Sequence, residues 1–272
     1  MNLGRAKIVD YLACPRRFQL RYLEQLPWPA GRQDPKGERS RVLGQRFHTV
    51  LHRHFLGFPQ GDEVHSEPEL QRWWRLFQTF EPHIPAGRMK PELSLTVPIG
   101  RLTLTGRFDL LVVTSDAVTS EGVHIFDWKT NGRARSTEDL RRDLQSKIYL
   151  ALVAESGNVL DREVRPEEVT LTYWFATDPP VNVLITYGRR EHYENWSYMT
   201  SIAGEIESRL DSKGPWPLTD ELEECSRCAF QILCGRGPGN PDLAGWSDRV
   251  GWTDRVGWTD LDDSSPIEPA LP

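Results

Sequence analysis

The residues that could do chemistry lie in two strand-like segments between positions 104 and 130. Asp109 lies in one apolar, β-branched run, and Asp127 and Lys129 lie in the next. Residues two apart in a strand point to the same face, so Asp127 and Lys129 should project together while Trp128 faces away. If the two strands pair, Asp109 joins them. Two carboxylates beside a lysine form a site for a hard divalent cation next to a phosphate.

A solvated ion pair is the alternative interpretation of these charges. An exposed Asp-x-Lys pair on a strand contributes well under about 1 kcal/mol to stability. The flanking residues Val123, Ile125 and Phe126 instead indicate a strand that is buried on both faces. Because an unpaired buried charge is costly, charged residues in such a strand tend to be functional.

Four cysteines form a second group of residues that could do chemistry. Cys225, Cys228 and Cys234 have the spacing Cys-x2-Cys-x5-Cys, and Cys14 stands alone near the start of the chain. A reducing compartment disfavours disulfides, so this clustering indicates four thiolate ligands of a metal centre. A tetrahedral zinc ion and an iron–sulfur cluster both accept four thiolates, and the spacing does not separate the two.

Length and charge narrow the class of protein. The chain has 272 residues, enough to bury a substantial core, and a formal net charge of −6. Residues 211–272 carry 5 basic and 12 acidic side chains, whereas residues 1–55 carry 11 basic and 4 acidic ones. The basic first segment is compatible with a nucleic-acid partner. Since no stretch is apolar enough to cross a membrane or to act as a signal peptide, we expect a cytoplasmic protein without a membrane partner.

Helices are predicted before the two acidic strands. Residues 5–24 predict two short helices split at Cys14-Pro15, because proline is tolerated at the first position of a helix but not inside it. The spacing of apolar residues predicts amphipathic helices over residues 39–55 and 68–80. His48 lies on the first of these, where a histidine is more often a core or surface residue than a ligand.

Strands surround the acidic segment and a helix follows it. Alternating apolar residues predict strands that meander into the Asp127 strand, with Glu92 at the start of the first. Glu92 could add a carboxylate to the site, although a solvated strand end accounts for it better. A helix predicted from Ser136 to about Ala154 places Gln145 and Tyr149 on one face, from which they can reach the end of the charged strand. The remaining predicted elements are strands over 168–176 and 181–187 and a helix over about 190–211.

These motifs, taken in order, resemble the PD-(D/E)XK nuclease superfamily, and specifically its RecB-like iron–sulfur nucleases. Each motif is weak alone, but their joint order is specific. Phe108 stands where the name of the superfamily has proline, a replacement that is common in this branch. The matching motifs, spread over residues 5–235, are Gly44-x3-His48, Gly106-Arg107-Phe108-Asp109, Asp127-Trp128-Lys129, Gln145-x3-Tyr149, and Cys14 with Cys225, Cys228 and Cys234.

The resemblance implies a fold and two kinds of cofactor. The fold class is α/β, with a restriction-endonuclease-like central mixed β-sheet flanked by helices. The N- and C-terminal segments would be joined by a 4Fe-4S cluster on the four cysteines. Mg²⁺ or Mn²⁺ would occupy the acidic site, and Mn²⁺ would suit a site with an imidazole ligand better. The implied metal ligands are His48, Asp109 and Asp127, and the implied catalytic residues are Asp109, Asp127, Lys129, Gln145 and Tyr149.

The activity implied by the resemblance is that of a metal-dependent DNA nuclease. It would be a single-strand or end-directed exonuclease in DNA repair, recombination or CRISPR adaptation, with Arg16, Arg17 and Arg21 lining a channel for DNA. Because the chain has no helicase P-loop, unwinding would need a partner such as a helicase, and CRISPR integration proteins are further candidate partners. The alternatives are a non-catalytic DNA-binding or assembly subunit that keeps the fold, and a zinc protein that merely resembles a nuclease.

The sequence predicts four regions along the chain. Residues 1–38 form a helical segment with the first cluster cysteine, and residues 39–211 form the nuclease core. Residues 212–237 carry the other three cysteines. Residues 238–272 contain a Gly-Trp-Ser/Thr-Asp-Arg-Val repeat with too little apolar mass for a core, and this composition predicts a disordered tail.

Overall fold

A computed structural model describes most of the chain. It covers residues 1–27, 35–59, 61, 64, 67–115, 121–130, 133–160, 162–226 and 228–236. The predicted repeat tail, residues 238–272, lies outside these ranges. The chain divides into two units, which we call the sheet unit (residues 1–2 and 34–205) and the terminal unit (residues 3–33 and 206–272).

A mixed sheet of six strands forms the framework of the sheet unit. The strand order is β1-β3-β4-β5-β6, and β2 also pairs with β3. The pairs β2/β3, β3/β4 and β5/β6 are antiparallel, whereas β4/β5 is parallel. The fold is therefore mixed α/β with a helix-flanked sheet, which confirms that part of the prediction. The strands are β1 Asn2–Leu3, β2 Arg88–Ile99, β3 Leu102–Thr114, β4 Gly122–Lys129, β5 Val169–Phe175 and β6 Val181–Thr186.

Two connections set the order of the central strands. The long β2–β3 hairpin turns at Gly100, whose φ of +59° lies in the left-handed region that favours glycine. The parallel β4–β5 pair needs a crossover, and two helices between these strands supply it. The helices named from here on are α3 Pro35–Phe55, α4 Pro68–Phe80, α5 Thr137–Arg142, α6 Leu144–Ala154 and α7 Arg189–Leu210.

The crossover differs from the single helix that the sequence predicted between Ser136 and Ala154. The helix is interrupted at Asp143, where the backbone is extended, with φ −64° and ψ 137°. The Asp143 carboxylate accepts a hydrogen bond from the backbone N–H of Gln145 at 2.9 Å, so it caps the start of α6. The interruption therefore sets where α6 begins and places Gln145 in its first turn.

Helices α3 and α4 are held on the sheet by an aromatic core. The ring of Phe47 stacks on Trp174 with centroids 5.9 Å apart, and the ring of Phe77 meets Trp128 edge-on at 5.5 Å. Burying side chains of this size contributes about 1.5–3 kcal/mol each. Because Phe47 is completely buried, it fixes the position of its neighbour His48 on α3.

The terminal unit combines the two ends of the chain. Cys14 separates helix α1, Arg5–Ala13, from helix α2, Pro15–Phe18, which confirms the predicted break before proline. A π-helical turn, Gln19–Leu23, follows, and α8, Leu222–Ser226, comes from the far end of the chain. The ring of Phe18 stacks on Trp216 at 5.6 Å, so the two ends share a core. No helix among the described residues has both the length and the apolarity needed to cross a bilayer.

Candidate active site

Carboxylates from three neighbouring strands form one row across the sheet. The β2/β3 register, in which Pro91 pairs with Leu110, sets Glu92 opposite Asp109. Continuing the β3/β4 register sets Asp109 opposite Asp127. Residues directly opposite each other on paired strands share a face of the sheet. The three acids therefore meet on one face.

His48 joins this row from helix α3. Its Nδ1 atom lies 3.1 Å from Oδ1 of Asp109, although the two residues are 61 positions apart in the chain. One ligand atom from each of His48, Glu92 and Asp109 lies within 4.8 Å of the other two. Within the described residues, this is the only such group of three His, Cys, Asp or Glu side chains. An imidazole nitrogen with carboxylate oxygens is a donor set for Mn²⁺ or Mg²⁺.

Asp127 is held beside this group by Lys129 and Gln145. The ammonium of Lys129 lies 2.8 Å from Oδ2 of Asp127, and the Gln145 amide donates to Oδ1 of Asp127 at 2.8 Å. Lys129 in turn donates to Oε1 of Gln145 at 3.0 Å, which closes a triangle. Oδ2 of Asp127 is buried and faces the Lys129 ammonium, and a carboxylate oxygen with one such contact still has a lone pair for a cation.

His48 and Asp109 shift each other's pKa in opposite directions. Burial lowers the pKa of His48, but the charge of Asp109 and their hydrogen bond outweigh it, so the pKa is raised. Burial raises the pKa of Asp109, but His48 and the Trp128 N–H, which donates to Oδ2 at 2.8 Å, bring the pKa below its usual value. A metal ion on His48 would compete with a proton there, because a metal binds only the neutral imidazole.

The other two carboxyls are crowded. Burial raises the pKa of Asp127 and the charge of Lys129 lowers it. The charge of Asp109 raises it again, so the net shift is upward. Burial and the charge of Asp109 also raise the pKa of Glu92. Mutual repulsion in a buried cluster of acids is relieved by a bound cation. The electrostatics therefore fit a divalent ion at this site, which we call the acidic site (His48, Glu92, Asp109, Asp127 and Lys129).

The position of Glu92 corrects the expectation that it is a solvated strand end. Strand β2 begins at Arg88, and the Glu92 side chain is only 17 % exposed. Its φ of +51° interrupts the alternation of the strand, and the strand extends four residues before the predicted start at Glu92. The sequence alone did not fix this register, because a turn shifted by one residue would set Glu92 opposite a different residue of β3.

Gln145 and Tyr149 contact opposite ends of the acidic row, and Tyr149 contacts the end near Arg107. Its hydroxyl donates to the backbone carbonyl of Arg107 at 2.5 Å, and its ring lies 4.6 Å from that of Phe108. A Cβ at Gly106 would lie 2.7 Å from a methyl carbon of Leu152, so glycine permits this close approach of α6. The Gln-x3-Tyr motif thus spans the row from one helical turn.

Two residues near Lys129 were not predicted from the sequence. The Lys129 ammonium lies 5.6 Å from the ring centroid of Tyr173, a residue of β5 paired with Asp127. The hydroxyl groups of Tyr173 and Ser146 are 2.9 Å apart, and both side chains are buried. Burial and the charge of Asp127 raise the pKa of Tyr173 well above its usual value, so the phenol stays neutral. A tyrosine in an apolar strand carries no signal that separates it from the core.

The four cysteines come together in the terminal unit and form what we call the cysteine site. All four carry free thiols and line one pocket. All four are among the described residues, and no three of their sulfur atoms lie mutually within 4.8 Å. Arg236 donates a hydrogen bond to the sulfur of Cys225 at 3.1 Å. Burial, together with the charges of the other thiols, raises the pKa of Cys228 and Cys234.

The three arginines predicted to line a DNA channel form ion pairs inside the terminal unit. Arg17 is 7 % exposed and pairs with Asp10 at 3.1 Å and with Glu224 at 3.2 Å. Arg21 also pairs with Asp10, at 2.9 Å, and Arg16 pairs with Glu24 at 2.8 Å. A role for these residues in binding DNA would require these partners to be exchanged for phosphates. Arg227, which stands between Cys225 and Cys228 in the sequence, lies outside the described residues.

A histidine from helix α3, together with three acids and a lysine on a mixed sheet, offers the groups that could hold a divalent cation. The chain belongs to the PD-(D/E)XK nuclease superfamily, whose family model matches residues 6–235. No curated protein matches it.

Two solved structures are similar to this chain. The crystal structure of SSO0001 is 14 % identical, with 86 % of this chain and 85 % of that chain covered and a TM-score of 0.39. A Eubacterium rectale protein described as a candidate exonuclease is 8 % identical, with 94 % of this chain and 90 % of that chain covered and a TM-score of 0.47.

Proposed function

We propose that this protein is a metal-dependent DNA nuclease of the RecB-like iron–sulfur type that hydrolyses phosphodiester bonds. The observation that carries the proposal is the convergence of His48, Glu92 and Asp109 within 4.8 Å. The Asp127–Lys129 pair adjoins them, and membership of the superfamily supplies the reaction class.

His48, Glu92 and Asp109 would hold Mg²⁺ or Mn²⁺, and Oδ2 of Asp127 offers a further oxygen ligand. The imidazole favours Mn²⁺, because nitrogen ligands suit the softer transition ion. When bound, the ion would supply a water of lowered pKa and polarise the scissile phosphate. The ligand set differs from the predicted one by the addition of Glu92.

Lys129 and its partners have the remaining chemical roles. The Lys129 ammonium, 22 % exposed, would orient the attacking water and offset the charge that develops on the phosphate. Gln145 fixes both Lys129 and Asp127, so the ammonium is held in place before substrate arrives. Tyr149 acts on the backbone of Arg107, which makes it a positioning residue.

We propose a 4Fe-4S cluster on Cys14, Cys225, Cys228 and Cys234. The four free thiols line one pocket, which supports a single metal centre on all four. A zinc ion would accept the same four thiolates, and the choice of an iron–sulfur cluster rests on the resemblance of the cysteine motif. Such a cluster would fasten the first and last parts of the chain as a cross-link, without a redox role in hydrolysis.

The cluster proposal has a direct test. A protein purified without oxygen should be brown and contain iron and sulfide. A colourless protein that contains zinc would contradict the proposal and leave the acidic site unaffected.

The substrate would be a single DNA strand or a DNA end, processed in repair, recombination or CRISPR adaptation. The basic first 55 residues support a polyanionic substrate, and Arg16, Arg17 and Arg21 remain proposed DNA contacts. A helicase or CRISPR integration proteins are the proposed partners. A non-catalytic DNA-binding subunit is the second candidate, but the complete set of acidic-site residues favours the enzyme.

The test is degradation of end-labelled single- and double-stranded DNA with Mn²⁺. Lys129→Ala should lose about 100-fold or more in kcat, the range for removing one preorganised charged group. Lys147→Ala, which removes a lysine whose ammonium lies 5.2 Å from the centroid of the Tyr198 ring, is the matched control and should keep full activity. Cleavage that survives in Lys129→Ala, or its absence in the wild type, would contradict the proposed function.

A further inference from the structure

Arg107 lies at the open end of the acidic row. Side-chain exposure rises from 3 % at Asp127 to 14 % at Asp109. It reaches 17 % at Glu92 and 44 % at Arg107. The row therefore runs from the protein interior towards solvent, and Arg107 is the member that an incoming polyanion would meet first.

The Arg107 guanidinium is held by Glu92, one of the three residues of the candidate metal group. Its Nε atom lies 3.2 Å from Oε2 of Glu92. A divalent ion binds carboxylate oxygen at about 2.0–2.6 Å and carries twice the charge of the guanidinium. Because a half-exposed ion pair is weak, the metal ion should win the competition for Glu92.

The backbone around this pair is held by contacts with helix α6. The Arg107 carbonyl accepts the Tyr149 hydrogen bond, and the neighbouring Gly106 packs against Leu152. Glu92 has φ +51°, a conformation that a non-glycine residue rarely adopts and that concentrates at ligand clamps. Arg107 and Asp109, two residues apart on β3, project from the same face.

We propose that Arg107 is a phosphate-positioning residue under the control of the metal ion. Glu92 holds the guanidinium in the metal-free protein and releases it to a nucleic-acid phosphate when it turns to the ion. This inference rests on the proposed function of the acidic site. It predicts that metal ion and DNA bind cooperatively, and by linkage each raises the affinity for the other by the same factor.

The test measures binding of a fluorescent single-stranded oligonucleotide in EDTA and in Ca²⁺, with no cleavage step in the readout. We expect Ca²⁺ to tighten wild-type binding about tenfold, within the common range of coupling between sites. Arg107→Gln should bind like the wild type in EDTA but lose most of the gain in Ca²⁺. Its salt dependence in Ca²⁺ should fall by about 0.7 in slope, the value for one contact to a single strand.

Two further variants and a control show whether a change in binding comes from Arg107 itself and not from misfolding. Arg107→Lys should lose less of the gain, because a point charge replaces the bidentate guanidinium. Glu92→Gln should tighten binding in EDTA, and adding Arg107→Gln should cancel that increase. Arg190→Gln is the matched control, because it removes an Arg–Glu pair at 2.9 Å on the exposed surface of α7. Arg190→Gln should bind the oligonucleotide as tightly as the wild type does, both in EDTA and in Ca²⁺.

The outcomes separate the inference from the proposed function. An equal loss for Arg107→Gln in EDTA and in Ca²⁺ would overturn metal control, and no loss relative to Arg190→Gln would remove Arg107 from substrate binding. Cleavage in Mn²⁺ is scored separately on the wild type. A wild type that binds cooperatively without cutting would overturn the proposed nuclease and leave this inference standing.

Discussion

The acidic site and the cysteine site both collect metal-ligating side chains, but they differ in openness. Three of the four cysteines, Cys14, Cys225 and Cys228, are each at most 9 % exposed and Cys234 is partly exposed, so a centre on these four thiols would be enclosed. The acidic site has a graded exposure, so an ion held there would keep coordination positions open to water and substrate. On this proposal, the chain separates a structural metal centre from a catalytic one by how completely the protein encloses each metal.

Replacing a ligand of the acidic site should give the largest effect on activity. Asp109→Asn keeps the shape of the side chain but removes a charge that contacts His48 and accepts from the Trp128 N–H. We expect kcat with Mn²⁺ to fall about 1,000-fold, the upper end for one electrostatic group. Iron content should not change. Parallel loss of iron and activity would break the comparison, because the two sites would then be interdependent.

Replacing a ligand of the cysteine site should instead reduce stability. Cys228→Ser removes one of the four proposed cluster ligands, and loss of the proposed cross-link should cost about 3 kcal/mol, within the typical range for a covalent cross-link. At about 2–4 °C per kcal/mol, the melting temperature should fall by about 6–12 °C. Thermal unfolding with iron analysis measures it. A variant that keeps its melting temperature but loses cleavage would assign chemistry to the cysteine site.

The stability of the protein should depend on pH through the His48–Asp109 pair of the acidic site. The raised pKa of His48 and the lowered pKa of Asp109 mean that their ion pair stabilises the metal-free protein between the ordinary values, about 3.9 and 6.5. The part due to His48 is lost as pH rises through its raised folded pKa, and the part due to Asp109 is lost as pH falls through its lowered one.

A metal ion favours the neutral form of His48, because only the neutral imidazole can bind it. The apparent Mn²⁺ affinity in cleavage assays should therefore rise by up to about tenfold per pH unit until His48 is deprotonated. Mn²⁺ titrations at successive pH values measure it. A flat affinity through this window, or an equal change in His48→Asn, would contradict ligation by His48.

The smallest effect should come from Tyr173→Phe. The ring that lies against Lys129 remains, so kcat should fall less than about threefold, whereas Ser146 loses its partner and stability should fall by about 1 kcal/mol. Thermal unfolding and cleavage assays on the same preparation measure both. A large loss of kcat with unchanged stability would give the phenol hydroxyl a direct part in the chemistry.

Much of the fold could be predicted from local patterns. Period-two alternation and turn residues predicted the central strands, and proline after Cys14 predicted the break between α1 and α2. The break at Asp143 was missed, because a capping aspartate inside a helical pattern looks like an ordinary polar residue. The burial of Arg17 was also missed, since its partner Glu224 comes from the far end of the chain.

By itself, the sequence determined which side chains could act as metal ligands and how residues close in the chain are arranged. The period of a strand puts Asp127 and Lys129 on one face, and the spacing of Gln145 and Tyr149 puts both on one helical turn. Only the tertiary structure decided that His48 and Glu92 meet Asp109, and that Tyr173 lies against Lys129. The physical reason is that backbone periodicity is local, whereas convergence of side chains depends on how α3 and the strands pack around a shared core.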